Sequence, residues 1–286
     1  MKRQSVSKRR IPPQARKTVE HPIRLLAVDL DGTLLNDAKR VGSGTVDALA
    51  DLPRRGVKVI IASARPPRSV RHIYAQLGLD TWQINYNGAL IWDEPRKKVI
   101  FHRPMKGSLV RKIIDRARGQ FPDILVTCEV LDRWYTDRFE QTYTTETGRL
   151  FKPDVIAPLD KCCAQEITKL LLLGETDAVS ALHAMLAGTN DEVTIVRTDP
   201  QLIQVMDRGV GKAAALQRVA EHYQVPPAEI MSIGDAPNDV GMLQLTGVAV
   251  AMDNAHEIVK NAAHWIAPSN NEDGVRAALQ HYGLCD

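Results

Sequence analysis

The chain is poor in cysteine, and its few thiols form no pattern. Cys128, Cys162, Cys163 and Cys285 are the four in 286 residues, none of them in a Cys-x-x-Cys spacing. The adjacent Cys162 and Cys163 are badly placed to pair or to share a zinc ion, and no His/Cys cluster stands elsewhere. A disulfide scaffold and a structural zinc site are therefore excluded, and four reduced thiols in a reducing compartment are expected. No apolar run approaches the ~20 residues that a membrane-spanning helix needs. No apolar segment of a secretory leader follows Lys2-Arg3. These absences lead us to expect a soluble, cytoplasmic protein. We find no internal repeat, and no low-complexity tract outside the N-terminal tail.

Charge is present but unevenly spread. The net charge is +3, yet residues 1–21 carry seven Lys or Arg against Glu20, which gives the tail +6 and leaves −3 for the remainder. This polar tail, with Pro12-Pro13, is expected to be disordered. It reads as a solvated start more readily than as a nucleic-acid or membrane-surface arm. Hydrophobic residues at 44% and charged residues at 25% are ordinary for a globular body.

That body is organised around Leu25-Leu26-Ala27-Val28-Asp29-Leu30-Asp31-Gly32-Thr33. An unbroken apolar run reads as a strand buried on both faces of a parallel sheet. It stops at Asp29 and Asp31, where open α/β sheets carry their chemistry. Two carboxylates so close repel unless a cation or a proton intervenes. One reading is a nucleophilic Asp with a metal alongside and a second Asp moving protons; the other is a turn and cap, since Asp-Gly is a turn signal.

Downstream, residues 43–52 read as a helix capped by Ser43 or Thr45, and Val57–Ala62 as a second buried strand ending in Ser63-Ala64-Arg65-Pro66. Ser63 is either a helix N-cap or a donor to an anion. A helix with Val70, Ile73, Tyr74 and Leu77 on one face leads to a strand over 82–85 and then Asn87-Gly88, which is a tight turn or a loop facing a site. This rhythm predicts a doubly wound, Rossmann-like α/β sheet. From about residue 90 the texture changes to strand pairs with separate helices: a hairpin over 89–101, a helix over 108–118, strands at 124–130, 133–136, 167–173, 193–197 and 202–206, and a polar, loop-rich stretch over 137–160. An α+β module inserted into the α/β domain follows. The α/β rhythm returns near Gly209, where Lys212 opens a helix and a strand over 229–233 ends in Gly234-Asp235-Ala236-Pro237-Asn238-Asp239. Lys212 is either a solvated lysine or a functional one, as the helix dipole disfavours a cation there. The strand ends carrying Asp29 and Asp31, Ser63, and Asp235, Asn238 and Asp239 line one sheet edge, and oxygens with a lone lysine suit Mg²⁺ and a phosphate.

In this order these motifs resemble the haloacid dehalogenase superfamily of phosphatases, and within it the Cof-type branch, which carries a large α+β cap between the second and third motifs. Asp29-Leu30-Asp31-Gly32-Thr33, Ser63, Lys212 and Gly234–Asp239 match the four family motifs; Asn87-Gly88-Ala89 and Asn270-Asn271-Glu272-Asp273-Gly274-Val275 match minor signatures. Ser63 stands where Thr is commoner, and Ala64 and Ala213 stand where Gly is usual. The resemblance implies a core of residues 22–88 and 208–286 and a cap of 89–207. It implies that Asp29 is the nucleophile, that Asp31 is the acid and base, and that Ser63 and Lys212 hold phosphoryl oxygens, with Gly32, Ala64, Asn87 and Asn238 around the phosphate. Asp29, Asp31 (through its carbonyl) and Asp235 would bind Mg²⁺, with Asp239 behind them. The expected activity is hydrolysis of a small phosphorylated metabolite, foremost a sugar phosphate, by a monomer or homodimer. A sugar phosphomutase and a flavin or pyridoxal phosphate phosphatase are the alternatives. In the cap, Arg133, Trp134, Tyr135 and Arg138 read either as substrate contacts or as surface and cap-core residues.

Overall fold

The computed structural model describes residues 21–140, 142–143, 145–187 and 192–286; almost all of the basic tail lies outside them. Five parallel strands form the central sheet in the order β14-β13-β12-β1-β2. These are β1 (Leu25–Val28), β2 (Lys58–Ile61), β12 (Ile230–Gly234), β13 (Val248–Met252) and β14 (Trp265–Ala267). Their sequences, such as Leu25–Val28 and Val248–Met252, are buried throughout, because helices cover both faces. Leu26 and Val28 pack with α1 (Ser43–Asp51), α2 (Pro67–Leu77) and α10 (Gly274–His281), while Leu25 and Ala27 pack with α7 (Lys212–Tyr223) and α8 (Val240–Leu245). A short helix α9 (Glu257–Lys260) completes the first face. The opening of α1 differs from expectation. Its N-cap is Gly42 with no side-chain cap, and the Thr45 hydroxyl is instead donated to Asp273 at 3.2 Å.

The hairpin β4 (Leu90–Asp93) and β5 (Lys98–His102) belongs with β3 (Trp82–Asn85) in a three-stranded antiparallel sheet. β3 in turn lies beside β2 through the Ala62–Ile84 bridge, so the hairpin extends the central sheet. It contributes Ile91, Ile100 and Phe101 to the same cluster as Leu25 and Ile84.

A second sheet of six strands has the order β10-β11-β9-β6-β7-β8. Its strands are β6 (Leu125–Val130), β7 (Arg133–Thr136), β8 (Val155–Ile156), β9 (Lys169–Leu173), β10 (Val193–Asp199) and β11 (Leu202–Asp207). One face is covered by α3 (Gly107–Gln120), α5 (Leu159–Cys163) and α6 (Thr176–Leu186). Period-2 alternation sends Leu170 and Leu172 to that cluster, whereas Leu171 and Leu173 look the other way, with Leu125 beside them. The 137–160 stretch, read as loop-rich, also holds α4 (Glu146–Leu150), β8 and the start of α5. These pieces of two to five residues are too short to show a period. Between this insert and the carboxyl edge of the central sheet lies a cleft of about 650 Å³.

Candidate active site

The site is built at the ends of β1 and β12, two adjacent parallel strands paired Leu25 to Ile230 and Val28 to Ile233. Asp29 follows β1, and its amide donates to Ile233 O at 3.0 Å, which fixes it beside the loop after β12. The chain then turns through Gly32 at φ 81°, where a Cβ would run into the Asp235 carboxylate. Thr33 donates its hydroxyl to Asp235 Oδ1 at 2.7 Å. Gly234 serves the same end, since a Cβ there would collide with the Asp239 carboxyl.

Asp29, Asp235 and Asp239 bring carboxylate oxygens within 4.8 Å of one another. Lys212, fully buried at the first position of α7, places its ammonium between two of them, bonded to Asp29 Oδ1 and, at 2.7 Å, to Asp239 Oδ1. Asp239 Oδ2 accepts the amides of Asp235 and Ala236 at 3.1 and 3.0 Å. Both oxygens of Asp239 are thus engaged in holding the lysine and the loop. Burial, with Asp239 and Asp235 adding to it against the pull of Lys212, pushes the Asp29 carboxyl well above the usual carboxylate range. Burial alone would lower the Lys212 ammonium, but Asp239 and Asp29 together hold it above its ordinary value. Burial also raises the Asp235 carboxyl, although the Thr33 hydroxyl opposes it. Carboxylates crowded in this way take up either a proton or a cation. The donors are all oxygen, which fits a hard divalent ion and not zinc or copper.

Asp31 stands apart from that cluster. Arg65 grips its carboxylate with Nε at 2.7 Å and Nη2 at 2.5 Å, and Lys39 Nζ adds a third contact at 3.0 Å. Burial would raise this carboxyl, but Arg65 and then Lys39 outweigh it and hold it below the usual range. The Ser63 hydroxyl accepts the Arg65 amide at 3.1 Å and caps no helix; α2 begins after Pro66 with no side-chain cap. Asn87 (φ 57°) and Asn238 are joined to each other, Asn238 Nδ2 donating to Asn87 Oδ1 at 2.9 Å. Asp29, Asp31, Ala64, Asp235 and Asn238 line the cleft; Ser63, Asn87 and Lys212 are buried behind it.

In the insert, Trp134 and Tyr135 are buried, and Arg138 Nη2 donates to the carbonyls of Asp123 and Ile124 at 2.5 and 3.1 Å. Neither these residues nor Arg133 lines the cleft. The insert meets it instead with Glu129, Lys169, Leu171, Leu173, Leu202 and Gln204, all on the sheet face away from α3 and α6. Sequence reasoning missed this set. The alternation of Lys169, Leu171 and Leu173 is masked by Leu170 and Leu172, which are equally apolar. The grip of Arg65 on Asp31 was likewise legible only as added charge. The Asn270 and Asn271 side chains brace the loop after β1, donating to Leu35 O at 3.0 Å and Asp37 Oδ2 at 2.9 Å. Among the described residues no helix is long and apolar enough to cross a membrane.

The sequence model of the family described as haloacid dehalogenase-like hydrolase matches residues 26–279. The 5-amino-6-(5-phospho-D-ribitylamino)uracil phosphatase YitU of Bacillus subtilis (strain 168) is 30% identical over 264 residues, covering 90% of this chain and 97% of its own. YcsE of the same organism, which bears the same enzyme name, is 28% identical over 262 residues, covering 92% of this chain and 96% of its own. A solved haloacid dehalogenase-like hydrolase from Bacteroides thetaiotaomicron shares the fold at a TM-score of 0.81 and 25% identity, over 90% of this chain and 98% of that one. The order of the motifs, the α/β core with its inserted sheet and these matches converge: the chain belongs to the haloacid dehalogenase-like hydrolases, in their Cof-type branch, and is a phosphatase.

Proposed function

We propose that the protein is a Mg²⁺-dependent phosphatase of a small phosphorylated metabolite, with the phosphate carried on a sugar or sugar-alcohol chain. The observation that carries this reading is the clustering of Asp29, Asp235 and Asp239 around buried Lys212 at the sheet edge facing the cleft. In this reading Asp29 attacks the phosphorus, its oxygen forming the new P–O bond as the substrate's P–O bond breaks. Asp31, once released from Arg65 and Lys39 and protonated, gives its proton to the departing alkoxide and later takes one from the water that opens the aspartyl-phosphate. Lys212 and the Ser63 hydroxyl hold phosphoryl oxygens, with Ala64, Gly32, Asn87 and Asn238 shaping the pocket around them. Mg²⁺, held by Asp29, Asp235 and the Asp31 carbonyl with Asp239 behind, would supply positive charge opposite the phosphoryl group. The central sheet with its flanking helices is the catalytic unit, and the six-stranded insert is the cap that selects the leaving group.

The wall of Leu171, Leu173 and Leu202, with Tyr143 beside it, favours a leaving group that carries a flat ring able to lie against it. The 5-phospho-D-ribitylamino-uracil named for the two Bacillus subtilis relatives has that form. The test is phosphate release from a panel of phosphorylated metabolites, that compound and hexose phosphates included, with and without Mg²⁺. Mg²⁺-dependent release that Asp29→Asn abolishes supports the reading. Release that survives Asp29→Asn overturns the mechanism, and turnover that requires a sugar bisphosphate and frees no phosphate marks a mutase.

A further inference from the structure

The loop Ser63-Ala64-Arg65 presents three consecutive carbonyls, and each is held from outside the loop. The Ser63 carbonyl accepts the Asn87 amide at 3.0 Å, and the Arg65 carbonyl accepts the Tyr86 amide at 3.3 Å. Both donors belong to the core's own turn after β3. The middle carbonyl, that of Ala64, is held by the insert: Lys169 Nζ donates to it at 2.9 Å. Lys169 is 5% exposed at the start of β9, with Gln204 Oε1 at 3.4 Å and the Tyr86 ring centroid at 5.0 Å. This one side chain therefore ties the insert's sheet to the loop whose next residue, Arg65, grips Asp31.

We propose that Lys169 is a positioning residue of the core site, fixing the Ser63–Arg65 loop through the Ala64 carbonyl, so that the insert takes part in assembling chemistry that lies entirely in the core. The charged groups around it make this contact conditional. Glu129 of β6, in register with Lys169, is already taken by other donors: Arg68 Nη2 of α2 donates to its two oxygens at 2.7 and 2.9 Å and the Tyr86 hydroxyl at 3.1 Å. Burial therefore prevails over the pull of Glu129, and with Arg68 adding to it the Lys169 ammonium falls to about 8. Tyr86 is pushed well above its ordinary value by burial and by Glu129, and stays protonated. Below pH 8 the bond to Ala64 is charge-assisted; above it the bond is that of a neutral amine and weaker.

The experiment compares wild type, Lys169→Met and Lys169→Arg by steady-state kinetics from pH 6 to 10 and by amide hydrogen exchange at pH 7. The activity arm rests on the phosphatase reading; the exchange arm does not. The kinetic substrates are p-nitrophenyl phosphate, whose leaving group lacks the metabolite's sugar chain, and the best metabolite of the panel. We expect Lys169→Met to lower kcat about 10-fold on both, with KM little changed. In wild type kcat falls above pH 8, and in Lys169→Arg that alkaline limb is lost. Exchange should rise in peptides spanning 62–70 and stay unchanged in α6. Should Lys169→Met not fold, Lys169→Gln, which keeps an N–H donor without the charge, takes its place. The proposal is overturned if p-nitrophenyl phosphate is turned over at the wild-type rate while KM for the metabolite alone rises, for then Lys169 is a substrate contact. It is overturned equally if exchange over 62–70 does not change. If wild type releases no phosphate from anything, the phosphatase reading fails and the exchange comparison alone decides.

Discussion

Among the described residues two lysines are buried, one in each part of the molecule, and they are treated oppositely. Lys212 in the core sits between the carboxylates of Asp29 and Asp239, which together hold its ammonium above the ordinary value. Lys169 in the insert donates to a backbone carbonyl and an amide oxygen, and burial brings its ammonium down to about 8. A buried charge met by opposite charges is a fixed part of the fold; one met by neutral oxygens depends on pH and on the seating of the two parts. The core thus carries a permanent electrostatic assembly, and the insert touches the neighbouring Ser63–Arg65 loop through a contact that can be weakened.

The largest effects should come from breaking the core assembly. Asp29→Asn should lower phosphate release by about 10⁴-fold or more, measured as kcat/KM on the best substrate, with the fold retained. Lys212→Met should cost activity and also about 3–5 kcal/mol of stability, because it strands Asp29 and Asp239 unpaired in the interior; urea unfolding checks this. A Lys212→Met protein as stable as wild type would break the contrast, since it would show that the carboxylates do not need their lysine.

Lys169→Met should behave in the opposite sense for stability. In the folded state this group releases its proton at about 8, whereas its unpaired value is 10.5. Between those values the unfolded chain binds more protons than the folded one, so this group's contribution to stability rises with pH across the window. Its burial cost is present in full below pH 8. The stability of Lys169→Met relative to wild type should therefore be greatest below pH 8 and shrink toward pH 10.5. Urea midpoints at pH 7 and pH 10, compared as a difference between the two proteins, isolate this from the other alkaline groups. A difference that does not move with pH removes the basis for the contrast between the two lysines.

The same contrast governs how much could be read before the structure. β1, β2 and β12 were legible because parallel strands buried on both faces leave largely apolar runs, each stopping where polar residues begin. Asp29, Asp235, Asp239 and Lys212 were legible because the chemistry lies in residue types at strand and helix ends. The insert was legible as strands and helices, but not in what it presents to the core. Lys169 reads only as a polar residue ahead of the leucines in the strand over 167–173, and its partner Ala64 is 105 residues away. The β4–β5 hairpin reads as the first part of the insert, since no local pattern tells which sheet an antiparallel pair will extend; its pairing with β3 decides that. Ser63, which by itself reads as a helix cap or as a donor to an anion, caps no helix, because α2 starts only at Pro67 after Pro66.

That last displacement leaves a small effect to test. With no side-chain cap of its own, α2 exposes the Arg68 amide in its first turn. The acceptor comes from the insert: Asp132, in the turn between β6 and β7, takes this amide on Oδ1 at 2.9 Å. The same carboxylate lies 3.4 Å from Arg68 Nη1 and 3.2 Å from Arg71 Nη2. A helix of the core is thus capped by the other part of the molecule. Asp132→Ala should cost about 1 kcal/mol, the usual worth of an N-cap. Asp132→Asn keeps an oxygen for the amide and gives up only the charge toward the two arginines, of which Arg71 is half exposed. It should cost less than Asp132→Ala. Equal losses would assign the effect to the ion pairs and not to the amide. Because α2 begins directly after the Ser63–Arg65 loop, Asp132→Ala should also raise hydrogen exchange over 66–70 while the packed end of the helix at Ile73 and Leu77 stays protected. Protection lost along the whole helix would instead mean that Asp132 holds α2 onto the sheet, a role for the insert in the stability of the core and not only in the placement of its loop.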